Sequence, residues 1–100
     1  MPVIQKLDSS GRKLLITING PFNFSEHNAF RDAYKNVDPK SVSSVSVDLQ
    51  NTDYIDSSAL GMLLLLDEHF ADSRIDVIRC SEYSKQVLEI AKFDLKFNIS

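Results

Sequence analysis

The sequence predicts an α/β fold, a mixed β-sheet of about five strands with about three to four helices packed on it. Segments rich in β-branched residues with a two-residue period alternate along the chain with segments of helical spacing. Strands separated by helices need crossover connections, which produce parallel pairs. The chain has 100 residues, 43% apolar and 25% charged, an ordinary globular composition. We therefore expect residues 1–100 to form one small domain, since no linker or repeat interrupts them.

The first half of the chain predicts a hairpin, a helix and a central strand. Residues 3–7 and 13–18 are extended segments separated by a serine- and glycine-containing turn. Ser25 is a candidate N-cap for a first helix over roughly residues 25–36, where apolar residues recur every three or four positions. Residues 43–49 alternate between polar and apolar, which indicates the central strand.

The second half predicts two further helices and two strands. The leucine-rich segment after Asp56 favours a second helix, and residues 75–80 are typical of a strand. A third helix is expected to begin near Ser81 or Ser84. The chain closes with a short predicted strand in which three apolar residues alternate: Leu95, Phe97 and Ile99. Five phenylalanines are expected in the core: Phe22, Phe24, Phe30, Phe93 and Phe97.

Charge and composition argue against several classes of function. A net charge of −3 does not supply the basic field that a nucleic-acid binder needs. The longest apolar run, residues 59–66, is far shorter than the roughly 18 residues of a membrane span, and the amino terminus lacks a secretion pattern. We expect a cytoplasmic protein with no membrane partner. Cys80 is the single cysteine, which excludes an internal disulfide and a thiolate-rich zinc site and indicates a buried structural thiol.

The residues around Asp56, Ser57 and Ser58 are the candidate functional site. They join the end of a predicted strand to the start of the second helix. The first N–H groups of a helix lack intrahelical partners and stabilise an anion or a phosphate. Ser57 is therefore placed to be either a helix cap or the carrier of an anionic group. On local spacing alone, a plain N-cap is the commoner meaning of this pattern.

The second helix is apolar in nearly every direction around its axis, whereas a helix on one side of a sheet buries a single stripe. Part of this surface is therefore expected to remain exposed as a protein contact, unless the final strand and third helix cover it. The residues in question are Leu60, Met62, Leu63, Leu64, Leu65 and Leu66.

These features together resemble the STAS domain of the anti-sigma factor antagonist group. The hexapeptide Asp-Ser-Ser-Ala-Leu-Gly at residues 56–61 follows a strand and opens an apolar helix, like the family motif Asp-Ser-(Ser/Thr)-Gly-Leu-Gly. The resemblance covers the whole chain. Residues 20–25 stand at the family's Gly-Glu-Leu-Asp turn, residues 45–49 resemble its central strand, and residues 81–97 resemble its closing helix and strand.

The resemblance implies a phosphorylation-controlled binding protein that is not an enzyme. Ser57 corresponds to the serine presented to a partner kinase, with Asp56, Ser58 and Asn23 supporting the site. In that family the unphosphorylated form binds a switch protein, typically an anti-sigma factor with serine kinase activity. Phosphorylation releases the partner, and a PP2C-type phosphatase restores binding. ATP and Mg²⁺ belong to the kinase, so this chain needs no cofactor; we expect a monomer when it is alone. The expected partner contacts are Ser25, Ala59, Leu60, Met62 and Leu63.

Two positions depart from the family pattern. Ala59 replaces the first glycine of the motif, so its methyl group is expected to affect kinase approach or partner choice while favouring the helix. Asn23 stands where the family commonly has an aspartate, and the loss of that charge either eases phosphate accommodation or weakens a partner contact.

The residues also bear on three other interpretations: a serine hydrolase, a metal site and a constitutive scaffold. A serine hydrolase needs a base beside its nucleophile, and the two histidines are His27 and His69. His69 lies roughly 18 Å from Ser57 along a helix, too far to act as its base. The residues around His27 do not suggest a catalytic or metal-binding role, so we expect neither catalysis nor a metal site. A constitutive scaffold that uses the same apolar helix without modification stays open. The regulated process also stays open among a sigma factor cascade, biofilm formation, motility and second-messenger control.

Overall fold

Five strands form one sheet in which the spatial order follows the chain order. The computed structural model describes residues 2–100, and its strands are β1 (Val3–Leu7), β2 (Lys13–Asn19), β3 (Ser44–Asn51), β4 (Arg74–Ile78) and β5 (Asn98–Ile99). β1 and β2 form the antiparallel hairpin, whereas β2 to β5 pair in parallel. The mixed sheet with its central strand β3 is therefore confirmed.

Three α-helices connect the parallel strands: α1 (His27–Asp32), α2 (Ser57–His69) and α3 (Glu82–Ile90). Ser81 is the N-cap of α3, and its side chain accepts a hydrogen bond from the Ser84 N–H at 3.0 Å. Two short 3₁₀ turns complete the described secondary structure: Phe24–Glu26 and Phe93–Leu95. The α/β fold with three helices is confirmed.

The first helix is shorter than predicted, and Ser25 is not its cap. The Asn23 side chain caps a 3₁₀ turn by accepting from the Ser25 N–H at 3.0 Å, and α1 follows for 6 residues. Beyond α1 the backbone tightens: the Ala33 N–H donates to the Phe30 carbonyl at 3.2 Å as well as to that of Ala29 at 3.1 Å. Two residues of good capping type stand at positions 23 and 25, and the earlier one takes the role.

The closing strand is also shorter than predicted. Lys92 has a left-handed backbone with φ 63°, which ends the helical segment, and a 3₁₀ turn follows. The Phe97 N–H donates to the Phe93 carbonyl at 2.8 Å and is therefore not available to β4. Strand pairing begins at Asn98. Leu95 lies in the turn and is 80% exposed, whereas Phe97 is buried.

The hydrophobic core lies on one face of the sheet. On the three central strands the core residues occupy alternate positions: Leu14, Ile16, Ile18, Val45, Val47, Leu49, Ile75 and Val77. The buried helix residues join the same cluster: Phe30, Ala59, Met62, Leu63, Leu66 and Leu88. The strand residues that alternate with the core positions belong to no such cluster among residues 2–100. All three helices therefore cover one face, and the opposite face is left to solvent.

The structure bears on three features considered from the sequence: the single cysteine, a metal site and a membrane span. Cys80 is half-buried, and burial raises the pKa of its thiol above the ordinary value. Within residues 2–100, no three His, Cys, Asp or Glu side chains gather where they could share a metal ion. None of the helices described has the length and apolar character needed to cross a membrane.

Candidate functional site

The start of α2 lies at the carboxyl ends of β2 and β3, the edge of an open α/β sheet where ligands generally bind. Gly20 turns the chain out of β2 with φ 97°, and its N–H donates to the Asn51 carbonyl at 3.0 Å. Phe22 then pairs with Ile55 in a parallel bridge, and its N–H donates to the Tyr54 carbonyl at 2.8 Å. The loop before α1 is therefore fastened to the segment that leads into α2.

The third helix reaches the same segment. The Tyr83 hydroxyl donates to the carbonyl of Ile55 at 3.3 Å. Three separate parts of the chain thus meet just before α2: the loop of residues 20–25, the segment of residues 54–56 and the first turn of α3. This arrangement holds the first residues of α2 in a defined position at the protein surface.

Asp56 is the N-cap of α2. Its backbone is extended (φ −111°), and its Oδ1 accepts from the Ala59 N–H at 3.1 Å and from the Ser58 hydroxyl at 2.6 Å. The Ser58 hydroxyl is the main cause that lowers the pKa of this carboxyl below its ordinary value, with backbone N–H groups adding to it. The capping role weighed from the sequence is thus taken by Asp56 and not by Ser57.

Ser57 and Ser58 differ sharply although they are neighbours. Ser58 is half-buried, and its hydroxyl is committed to Asp56. Ser57 is the first residue of α2 and is exposed, and within residues 2–100 no group forms a hydrogen bond with its hydroxyl. Of the two hydroxyls, Ser57 is therefore the one free to react or to contact a partner.

The outer face of α2 continues from Ser57 along the helix. The residues four, seven and eight positions further on are Gly61, Leu64 and Leu65; all are exposed, the two leucines by 43% and 49%. Leu60 is half-buried beside them. We call Ser57, Leu60, Gly61, Leu64 and Leu65 the outer stripe of α2. The expectation that part of the apolar helix stays exposed is confirmed.

Three of the expected partner contacts face the other way. Ala59, Met62 and Leu63 are buried in the core, so their side chains are not available to a partner. Leucines surround the helix, and the sequence pattern therefore did not identify which side packs on the sheet. The residues that orient the helix lie on its inner side at one-turn spacing, and they include these three expected contacts.

The burial of Ala59 also corrects the effect expected from its methyl group. The side chain is fully buried in the cluster beneath α2 and does not lie on the surface that a kinase would approach. The departure from the family glycine therefore acts on packing and helix stability, and not directly on partner choice.

Phe24 adds an exposed aromatic ring near this site. It was expected in the core but is 69% exposed, and it packs on the His27 ring at a centroid distance of 5.4 Å. Phe24 and Ser57 each lie two residues beyond the bridged pair Phe22 and Ile55. Because that bridge is parallel, it brings the two chain segments side by side, and Tyr54 is 47% exposed on one of them.

Asn23 and Ser25 interact with each other. The Asn23 side-chain oxygen accepts from both the N–H and the hydroxyl of Ser25. Among residues 2–100 no hydrogen bond joins Asn23 to Asp56 or Ser57. A role for Asn23 in supporting a modified Ser57, and of Ser25 in partner contact, stays a prediction.

Both histidines are engaged elsewhere. His69 Nε2 lies 3.0 Å from the Val37 carbonyl, and its ring packs on Tyr34 and Phe70. His27 stacks with Phe24. Neither forms a hydrogen bond with Ser57 within the part of the chain that the structure describes. The structure thus does not bring together a nucleophile and a base.

The expected partner contacts did not include Gly61, Leu64 or Leu65, and Phe24 was placed in the core. A helical projection that counted in steps of three and four from Ser57 would have found the first three. Phe24 offered no such indication, because an aromatic residue beside a capped turn is usually buried.

Comparison with known proteins agrees with this architecture. The family model described as "Mlab, STAS domain" matches residues 6–95. A STAS-domain containing protein of Pseudomonas aeruginosa (strain UCBPP-PA14) is 44% identical over 94 residues, which are 92% of each chain. An anti-sigma factor antagonist from Mycobacterium paratuberculosis superposes with a TM-score of 0.82 at 14% identity, over 97% of this chain and 82% of that one. The Bacillus cell fate determinant SpoIIAA in its phosphorylated form superposes with a TM-score of 0.74 at 12% identity, over 98% of this chain and 90% of that one.

The hydrogen bond between Ser58 and Asp56 can be tested by titration. We expect Ser58→Ala to raise the pKa of the Asp56 carboxyl towards its ordinary value, because the hydroxyl that favours the charged form is removed. Ser57→Ala is the matched control and should leave that pKa unchanged. NMR titration of the Asp56 carboxyl measures both, and equal shifts in the two variants would contradict the assignment.

The same substitution should alter stability against acid. The Asp56 pKa is lowered in the folded state, so the stabilisation by the charged cap is complete above an unfolded-state pKa of about 4. It is lost as the pH falls through the lower folded-state value. Ser58→Ala should reduce this acid-sensitive part, which urea unfolding at pH 7 and at pH 3 would reveal.

Proposed function

The chain belongs to the STAS-domain family, and we propose that it is a phosphorylation-controlled protein-binding switch. In this proposal the form with unmodified Ser57 binds a regulatory partner, a serine kinase phosphorylates Ser57, and a PP2C-type phosphatase reverses the step. The observation that supports it most is the exposed Ser57 hydroxyl, uncommitted among residues 2–100, beside a neighbouring serine held by Asp56. Relatives of this fold include a named anti-sigma factor antagonist and a protein solved in phosphorylated form.

The fold can carry a phosphate on Ser57. Ser57 is the first residue of a 13-residue helix, where unpaired N–H groups and the helix dipole favour negative charge. The Asp56 carboxylate, which would repel a phosphate, is directed to the Ala59 N–H and the Ser58 hydroxyl. Phosphorylation at this position therefore leaves the capping interactions in place.

A partner seated on the outer stripe of α2 would not tolerate the same phosphate. Modification adds about −1.5 to −2 charges at pH 7. That charge would stand at the end of a surface formed by Leu60, Gly61 and Leu64, where burial against a partner removes water. Desolvation of the phosphate is unfavourable there, so the modified form releases the partner.

Gly61 fits close contact with such a partner. A glycine inside a helix is less stable than alanine by about 0.5–1 kcal/mol. Its φ is ordinary, and a Cβ placed there would meet no atom within 4 Å, so the chain's own packing does not require glycine. A flat spot on the outer stripe lets the backbone of a partner approach the helix closely.

The chain itself contributes binding and no chemical step. ATP and Mg²⁺ would be held by the kinase. The partner would be a switch protein with serine kinase activity, as with anti-sigma factors, and the regulated output would be transcription or a process such as biofilm formation. The loop with Asn23 and Ser25 and the Phe24 ring would form the second edge of the contact, since the Phe22–Ile55 bridge fastens that loop beside α2.

A constitutive interaction subunit is the second candidate function. Leu64 and Leu65 are exposed whatever the state of Ser57, so they can bind a partner without modification. The two candidates differ in whether Ser57 controls that binding.

The switch is tested by comparing two Ser57 variants in their native cells. We expect Ser57→Ala to retain the partner and Ser57→Asp to lose it, with phosphate found by mass spectrometry on Ser57 of the unsubstituted protein. Ser58→Ala is the control and should still be phosphorylated at Ser57. If Ser57→Ala and Ser57→Asp hold the same partners equally, the constitutive role is the correct one.

Gly61→Ala should change stability and binding in opposite directions. The free energy of unfolding should rise by about 0.5–1 kcal/mol because alanine favours the helix. Affinity for the partner recovered with Ser57→Ala should fall at least about tenfold, since the added methyl group separates the two backbones. Gln86→Ala, at an exposed position of α3, is the matched control and should leave binding unchanged. Unaltered affinity in Gly61→Ala would remove the outer stripe from the interface.

A further inference from the structure

We propose that the uncovered face of the sheet is a second binding surface, which takes an acidic, extended segment of a partner protein independently of Ser57. Parallel sheets are almost always covered on both faces. Here β2 to β5 are parallel, yet all the buried helix residues lie on one side. The opposite face, which we call the open face, carries a groove of about 400 Å³ lined entirely by strand residues and the residues adjoining them.

The residues of the open face form rows that run across the strands, because the register of strand pairing aligns them. One row joins Lys13 to Ser44 and Ser44 to Arg74. The next row begins at Lys6 on β1 and continues with Leu15, Ser46 and Asp76. Neighbouring strands lie about 4.8 Å apart, so Lys13 and Arg74 stand about 10 Å from each other across the hydroxyl of Ser44.

Positive charge is concentrated in this groove. Its lining contains 4 of the chain's 11 Lys and Arg residues but 1 of its 14 Asp and Glu residues. Arg74 and Arg79 are paired with Asp76 and Asp48 of the same face, at 3.3 and 2.9 Å. Lys6 and Lys13 have no ion pair within residues 2–100, and each is exposed. An anionic partner would therefore meet two uncommitted lysines on a chain whose net charge is −3.

An extended acidic segment suits the remaining chemistry. Leu15 and Ile78 give the groove an apolar floor, and both are half-buried. An extended segment with acidic residues at alternate positions would direct them to Lys6 and Lys13. Its apolar residues would cover the floor, which a bare phosphate would leave exposed. A second copy of this chain is a poorer occupant, because a symmetric contact would bring lysines and arginines against each other.

The surface is tested by NMR with a defined probe, a capped peptide in which glutamate and leucine alternate. We expect amide shift changes confined to β1 to β4, with affinity reduced at least about tenfold in Lys6→Glu/Lys13→Glu. Arg31→Glu/Lys85→Glu changes the net charge equally on the helical side and should bind like the unsubstituted chain. Ser57→Asp should also bind normally, which separates this proposal from the switch.

Five results would overturn the proposal. The first four are the absence of shifts up to millimolar peptide, shifts located at α2, equal binding of a lysine–leucine peptide, and inorganic phosphate binding as tightly as the acidic peptide. The fourth would indicate a simple anion site. A dimer in sedimentation that Lys6→Glu/Lys13→Glu dissociates would identify a second copy as the occupant and would equally refute it.

Discussion

The structure depends on one constraint, the packing of all three helices on a single face of the sheet. Crossovers between parallel strands are right-handed, and β2, β3, β4 and β5 follow one another in one direction across the sheet, so every helix is carried to the same side. α2 buries Ala59, Met62 and Leu63 towards the strands and presents its opposite side to solvent. The same constraint leaves the other face of the sheet uncovered. Both proposed binding surfaces therefore follow from the topology, and they lie on opposite sides of the molecule.

Within α2, the cap decides which hydroxyl is available. The Asp56 carboxylate accepts from both the Ala59 N–H and the Ser58 hydroxyl, while Ser57 is exposed and its hydroxyl has no hydrogen-bond partner among residues 2–100. A hydroxyl held at 2.6 Å by a carboxylate is a poor target for modification, because a phosphate there would face that carboxylate and lose the hydrogen bond. The adjacent position has the favourable helix dipole without this conflict. Two identical residues thus acquire different roles from one acidic neighbour.

Much of this could be predicted from the sequence, and the exceptions have physical causes. The alternation in residues 43–49 was enough to place the central strand, because only one face of that strand is apolar. The start of α2 was predictable because its cap and helical residues are adjacent. Its orientation was not, since leucines surround the helix and only tertiary packing separates Leu63 from Leu64. The exposure of Phe24 follows from the Asn23 cap, which competed with an equally good cap at Ser25. The open face could have been inferred from the same alternation, because strands of a parallel sheet covered on both faces are apolar at nearly every position.

We propose that this fold accepts a doubly charged group at position 57 and not at position 58. This proposal is tested most directly by installing phosphoserine genetically at each position and measuring the free energy of unfolding in urea. We expect phosphoserine at 57 to give a native spectrum and a stability equal to or above that of the unmodified chain, and phosphoserine at 58 to lower the stability. A chain that is destabilised more by the modification at 57 than by that at 58 would contradict it.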